Sequence, residues 1–129
     1  MKSRNAERAP PHRFSYAGLD RVIHERARLS ILASLLAHPQ GLTFRELLQL
    51  CALTDGNLNR HLQVLQLARL VTVTRALGPG RPQTTCRLTA AGRKRLLEYL
   101  EVLEQVLRDA SHARQADVPP TPRPAPART

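Results

Sequence analysis

The chain has 129 residues, with 20 Lys and Arg against 10 Asp and Glu, and its formal net charge is +10. No apolar run approaches the roughly 20 residues of a membrane span. The polar N-terminus lacks the apolar core of a secretory signal, and two Cys make no disulfide framework. These features disfavour a membrane protein, a disulfide-stapled domain and a large enzyme. They favour a cytoplasmic, basic, mostly helical module whose partner is a polyanion.

Composition divides the chain into three parts. Residues 1–18 hold four cations and one acidic residue, and we expect a flexible basic arm. Five of the ten prolines lie between Pro119 and Pro126, so residues 108–129 bury too little apolar surface to fold, and we expect a disordered Pro/Arg-rich tail. Residues 19–107 remain for one domain.

The first predicted helix runs from Asp20 to Ala37 and stops at His38-Pro39. Its apolar residues follow two stripes. The first holds Ile23, Ala27, Ile31 and Leu35, and the second holds Leu29, Leu32 and Leu36. Because a helix that is apolar on two sides is buried on two sides, we expect the second stripe to face another subunit.

Two short helices joined by a tight turn follow. Thr43-Phe44-Arg45-Glu46 is a capping-box sequence that opens the first of them, and Cys51-Ala52-Leu53 forms the turn. Either Thr54 or Asp55 caps the next helix, which ends near Arg69. Its core-facing residues recur at i, i+3, i+4 and i+7: Leu58, His61, Leu62 and Leu65. This arrangement predicts a helix-turn-helix.

A β-hairpin and a last helix complete the domain. Residues 70–75 and 84–88 alternate apolar and polar side chains around the Gly/Pro-rich loop 78–82, which predicts two strands with a projecting tip. Thr89 caps a helix through roughly Leu107. The predicted fold class is mainly α with a small β-hairpin.

This order of elements resembles the winged helix-turn-helix transcription regulators of bacteria and archaea, the MarR-like and ArsR-like group. The resemblance covers about residues 20–107, and it looks closest to a small subgroup with little more than the DNA-binding domain. The residues that carry it are 53–65 (LTDGNLNRHLQVL), Leu70-Val71 and the hairpin exit 80–93 (GRPQTTCRLTAAGR). Relatives often have an aromatic residue where Cys86 stands, which concerns local packing of the wing. The resemblance implies a winged-helix fold with a C-terminal dimer helix.

Side chains on the second helix of the helix-turn-helix suit base recognition in the major groove of double-stranded DNA. Arg pairs with guanine and Asn or Gln with adenine, and a glycine lets the helix approach closely. Thr54 is placed for a phosphate, and we interpret Asp55 as a cap. The candidate residues are Thr54, Gly56, Asn57, Asn59, Arg60 and Gln63. A merely solvated polar face is the alternative.

We call the hairpin loop together with the strand ends beside it (residues 75–84) the wing. Arginines flank its loop. Arg81 at its tip, followed by Arg75, is the candidate for the narrow minor groove. Arg87 on the strand is a candidate for backbone phosphate. Arg93, Lys94 and Arg95 begin the last helix, where positive charge opposes the helix dipole; phosphate contact and simple solvation explain them equally well.

Specific recognition normally uses two half-sites on the DNA, about one helical turn or a multiple apart. Binding both of them at once normally requires a two-fold symmetric dimer. We expect its seam along Leu96, Leu100, Leu103 and Leu107, with the packing of the last helix on its own domain as the alternative.

No catalytic constellation is present, so we expect no enzyme, cofactor or metal site. His61 is interpreted as a packed residue or phosphate contact, and Cys51 as a core residue. Cys86 is a redox sensor only if it is exposed and has a low pKa. The leading hypothesis is a homodimeric repressor on the nucleoid. The alternatives are a protein-interaction module and a sequence-indifferent architectural DNA binder; no pattern argues for a small-molecule effector.

Overall fold

The computed structural model describes residues 10–76 and 80–117. Its elements in chain order are α1 (Arg26–Ala37), β1 (Leu42–Thr43), α2 (Phe44–Cys51), α3 (Asp55–Leu67), β2 (Val71–Ala76), β3 (Gln83–Leu88) and α4 (Ala90–Asp117). The strands form one antiparallel sheet in the order β1-β3-β2. The predicted fold class is confirmed. Among the described helices, none combines the length and the apolar character of a membrane span.

Helix α1 begins six residues later than predicted. Asp20 Oδ1 accepts from the backbone N–H groups of Val22 and Ile23, at 2.9 and 3.4 Å, and so closes a turn instead of opening a helix. Glu25 is the N-cap, with extended backbone (φ −151°) and a side chain that accepts from Arg28 N. The predicted end at Ala37 is confirmed.

The core of the subunit surrounds α1. Ile31, Leu32 and Leu35 are all buried within the single chain, because α1 contacts α2, α3, β3 and α4. Leu29 and Leu36 pack partly buried against the same core. The second stripe of α1 therefore belongs mostly to its own subunit, which corrects the expectation that it faces another one.

The helix-turn-helix is formed by α2 and α3. Thr43 and Glu46 make both hydrogen bonds of the capping box, and Ala52 turns the chain in the left-handed region (φ 54°). Thr54 Oγ1 accepts from Asn57 N at 3.3 Å, so Thr54 is the N-cap of α3. Asp55 is the first helical residue, which corrects its interpretation as the cap.

The hairpin pairs Val71 with Leu88 at one end and Ala76 with Gln83 at the other, as the alternation predicts; residues 77–79 at the tip lie outside the described residues. Strand β1 was not predicted. It pairs Leu42 with Cys86 and Thr43 with Thr85, so the residue that caps α2 also belongs to a strand that pairs with β3. Two residues are too short for a period of two to be recognised.

Helix α4 starts where predicted. Thr89 Oγ1 accepts from Gly92 N at 2.8 Å and donates to the carbonyls of Arg69 and Leu70, at 2.8 and 3.1 Å. Gly92 lies against β2 so closely that an added Cβ would be 2.1 Å from Leu70 O.

The far end of α4 differs from the prediction. The helix continues through Asp117, so residues 108–117 are helical and do not belong to a disordered tail. Residues 118–129 lie outside the described residues.

The segment from Pro10 to Gly18 lies on α4, although we expected it to be flexible. Arg13 donates from both terminal nitrogens to Asp109, at 2.8 and 2.6 Å, and Tyr16 Oη donates to Asp109 at 2.6 Å. Gln105 donates to the same carboxylate at 2.8 Å. These contacts hold the pKa of Asp109 well below its usual range. They hold the segment against the part of α4 that extends beyond the predicted end at Leu107. Residues 1–9 of the predicted arm lie outside the described residues.

Candidate DNA interface

The side of α3 that faces away from the core is exposed, and one stripe runs along its length. Leu58, His61, Leu62 and Leu65 are buried on the inner side. Residues at i, i+4, i+7 and i+11 lie on one helix face, and on the outer side these are Gly56, Arg60, Gln63 and Leu67, all exposed. Leu67 is 85% exposed and was missed in the sequence analysis. Extending the spacing by one turn would have found it.

Hydrogen bonds position the polar side chains at the beginning of α3. Asn57 Oδ1 accepts from Arg60 Nη2 at 3.4 Å, so the amide and the guanidinium lie side by side. The hydroxyl oxygen of Thr54 accepts from Asn57 N, and its proton remains available to a phosphate. No atom lies within 4 Å of a Cβ built on Gly56. Asn59 is exposed on the flank of this stripe.

His61 lies on the buried side of α3 and is hydrogen-bonded to α1. It is 8% exposed, and its Nδ1 accepts from Arg28 Nη1 at 3.3 Å. Glu25 Oε1 lies 3.9 Å from the same nitrogen, and Arg28 Nε donates to Val22 O at 2.6 Å. The interpretation of His61 as a packed, hydrogen-bonded residue is confirmed. This network joins α3 to the segment that leads into α1.

The wing stands beside the exposed face of α3. Asn59 of α3 and Arg75 of β2 line the same cleft, together with Thr84 of β3. Arg75 and Arg81 are exposed, and Arg75 pairs with Thr84 across the hairpin. Arg87 is also exposed, on the strand, opposite Thr72.

The exposed arginines of the helix-turn-helix and the hairpin lack acidic partners within the part of the chain that the structure describes. The ion pairs among the described residues involve Arg13, Arg28, Arg95 and Arg108. No described acidic group pairs with the arginines of the helix-turn-helix, the wing and strand β3, which are Arg45, Arg60, Arg75, Arg81 and Arg87. A surface with cations that lack acidic partners is positive and attracts polyanions.

The comparisons with known proteins agree with this geometry. A family profile described as a winged helix DNA-binding domain matches residues 27–107. The chain belongs to this family. The solved structure of a transcriptional regulator homologue protein from Pyrococcus horikoshii OT3 is similar at 26% identity and a TM-score of 0.67, over 70% of this chain and 89% of that one. A MarR-family transcriptional regulator from Silicibacter pomeroyi is similar at 25% identity and a TM-score of 0.51, over 81% and 69%. No curated protein matches the sequence.

In the winged-helix domain, the predicted dimer seam on α4 divides into two parts. Leu96 is fully buried and Leu100 and Leu103 pack against the same core, so Leu96 is not available to a partner, which corrects that part of the expected seam. Leu107 lies on the same face and is 63% exposed. The apolar face of α4 therefore continues beyond the core of its own subunit.

The basic residues at the start of α4 have different environments. Arg95 donates from Nε and Nη2 to Asp20 Oδ2, at 3.0 and 2.5 Å. This ion pair explains the placement of Arg95, which the sequence left unexplained. Arg93 and Lys94 are exposed.

Neither cysteine of the winged-helix domain has the features of a redox sensor. Cys86 is fully buried, and burial raises the pKa of its thiol to about 11, which disfavours the reactive thiolate. Cys51 is half-buried, with its Sγ 3.6 Å from Ser34 Oγ. Within residues 10–76 and 80–117, no three His, Cys, Asp or Glu side chains are grouped as a metal site.

Proposed function

We propose that this winged-helix protein is a sequence-specific transcriptional regulator that binds double-stranded DNA as a homodimer and represses. Residues 54–69, which comprise α3 and its flanking caps, occupy the major groove, and the wing (residues 75–84) occupies the adjacent minor groove. The observation that supports this most directly is the exposed stripe of α3, which lies next to a wing whose arginines have no described acidic partner. The two solved structures described above are named as a transcriptional regulator homologue protein and as a MarR-family transcriptional regulator.

Base recognition is assigned to the outer face of α3. Arg60 pairs with guanine, and Asn57, Asn59 and Gln63 are candidates for adenine, at about 1–3 kcal/mol of discrimination for each good pair. Leu67 offers an apolar surface to a thymine methyl group. Thr54 and Arg87 contact phosphate, while Arg75 and Arg81 enter the minor groove, where the potential is most negative.

The dimer places two copies of α3 on one duplex. Helix α4 has 28 residues and is about 42 Å long. One side of its far half is covered by the segment around Arg13 and Tyr16, whereas Leu107 on another side has no such cover. We assign the seam to Leu107 and the outer edges of Leu100 and Leu103. A dimer seated on a promoter excludes other proteins from that DNA, which is the basis for proposing repression.

The test compares the double variant Arg60→Ala/Arg81→Ala with a matched control, Arg108→Ala/Arg114→Ala, which removes the same charge from the far part of α4. A random duplex library first selects the preferred site of the wild-type protein. We expect the first variant to lose its preference for this site over random duplex while it keeps its folding midpoint, since both residues are exposed. The control should keep both properties.

The other outcomes distinguish the alternatives. A wild-type protein that selects no site, but whose affinity falls steeply with salt, is an architectural DNA binder. A protein with no salt-dependent affinity for duplex DNA is an interaction module. Retention of the site preference by Arg60→Ala/Arg81→Ala would contradict the assignment of the reading residues.

A further inference from the structure

Two clefts flank Phe44 on the side of the molecule that carries the wing. The first has a volume of about 430 Å³ and lies between the start of α2 and the wing, lined by Arg45, Arg81 and Thr84. The second has a volume of about 370 Å³ and lies between α3 and the wing, lined by Asn59, Arg75 and Thr84. Phe44 and Thr84 line both clefts, so the clefts are neighbours, and together we call them the depression.

The depression exists because two segments of the chain, β3 and the start of α2, diverge at the edge of the sheet. Strand β1 ends at Thr43, which pairs with Thr85 of β3. Beyond this pair, β3 remains extended at Thr84 and Gln83, while the segment that forms β1 turns into α2 at Phe44. The pairing of β1 with β3 fixes the distance between the two walls, so the depression is formed before any ligand binds.

The lining is suited to an anion with ester oxygens. Arg45, Arg75 and Arg81 line it and form no ion pair with a described residue, and Thr43 and Thr84 supply hydroxyl groups. The nearest acidic neighbour in sequence is Glu46, whose carboxylate accepts from Thr43 N at 2.9 Å and not from the guanidinium of Arg45. This bond lowers the pKa of Glu46, and its charge is engaged by the backbone at the start of α2.

We infer that this depression holds the sugar-phosphate backbone of the DNA strand that borders the groove read by α3, with Arg45 as a phosphate-binding residue. The inference rests on the proposed function and adds to it a contact outside both grooves. Arg is suited to this role because its planar guanidinium binds phosphate oxygens in pairs. Contacts of this kind set the register of α3 on the duplex and carry no sequence information themselves.

The experiment measures the affinity of full-length Arg45→Ala for the selected duplex and for random duplex across a salt series. Each neutralised phosphate releases about 0.9 counterion, so the slope of log affinity against log salt should fall by about 0.9. At 0.1 M salt the affinity should fall about eightfold on both duplexes, which is the factor 10 to the power 0.9. Arg114→Ala, which removes the same charge from an exposed position at the end of α4, should leave the slope unchanged.

Neutral methylphosphonate linkages then locate the contact. At the phosphate held by Arg45, the substitution should weaken wild-type binding about eightfold and leave the affinity of Arg45→Ala unchanged. Wild-type and Arg45→Ala proteins that respond alike at every position would overturn the inference. If Arg60→Ala/Arg81→Ala loses site preference while Arg45→Ala keeps its slope, the backbone site is refuted and the proposed function stands. Absence of salt-dependent DNA binding by the wild type refutes the proposed function itself.

Discussion

Substitution of Gly56 by alanine should change the stability of the fold and the affinity for DNA in opposite directions. Gly56 is the second residue of α3, its backbone is not in the left-handed region, and a Cβ added there meets no atom within 4 Å. Gly56→Ala therefore adds a methyl group to open space on the face that we place against the duplex. The substitution removes backbone freedom from the unfolded chain without a clash in the folded one.

The two expected effects have opposite signs. Alanine is preferred to glycine within a helix by about 0.5–1 kcal/mol, which raises the melting temperature by about 2–8 °C for a domain of this size. On DNA, the methyl group displaces the start of α3 from the groove. Loss of one bidentate base contact of Arg60 or Gln63 costs about 1–3 kcal/mol, so specific affinity should fall at least about fivefold, from the lower bound of that range.

Circular dichroism melting and fluorescence anisotropy with the selected duplex measure these effects. Gly92→Ala is the matched control, since its Cβ would lie 2.1 Å from Leu70 O. It should destabilise the fold by about 1–3 kcal/mol, with no change in site preference of the folded protein. A stabilised Gly56→Ala with unchanged specific affinity would show that the start of α3 does not approach DNA closely.

Two further predictions concern α4. Leu107→Arg should convert the dimer to a monomer in light scattering and weaken binding to two half-sites more than to one; a dimer that persists would exclude Leu107 from the seam. Asp109→Asn should release the segment around Arg13, detected as faster tryptic cleavage after Arg13. Because the folded state lowers the pKa of Asp109, the stabilisation by its carboxylate is complete above the ordinary Asp pKa and is lost as pH falls below it. The stability difference between wild type and Asp109→Asn should therefore shrink in acid, and a difference independent of pH would contradict this account.

Local signals along the sequence were sufficient for the order of the four helices and the hairpin. The capping box at Thr43, the i, i+3, i+4, i+7 spacing in α3 and the alternation in β2 and β3 each involve residues close together in the chain, and all three are present in the structure. The polar face of α3 was predicted for the same reason, since a known core face determines the opposite one.

Contacts between distant parts of the chain decided the rest. Asp20 opens no helix because it closes its own turn and pairs with Arg95, 75 residues away. Helix α4 continues past Leu107 where Asp109 binds Arg13, 96 residues away, and no local pattern records that contact.

The sequence by itself therefore determined the four helices, the two strands of the hairpin and which face of α3 is polar, although not the ends of α1 and α4, because hydrogen bonds and periodicity within a segment encode them. Only the tertiary structure decided that Leu96 belongs to the core, that Arg95 has an acidic partner, and that Arg45 and Arg81 line one cleft. Burial and charge pairing depend on which distant segment packs against a side chain, and a one-dimensional pattern does not contain that information.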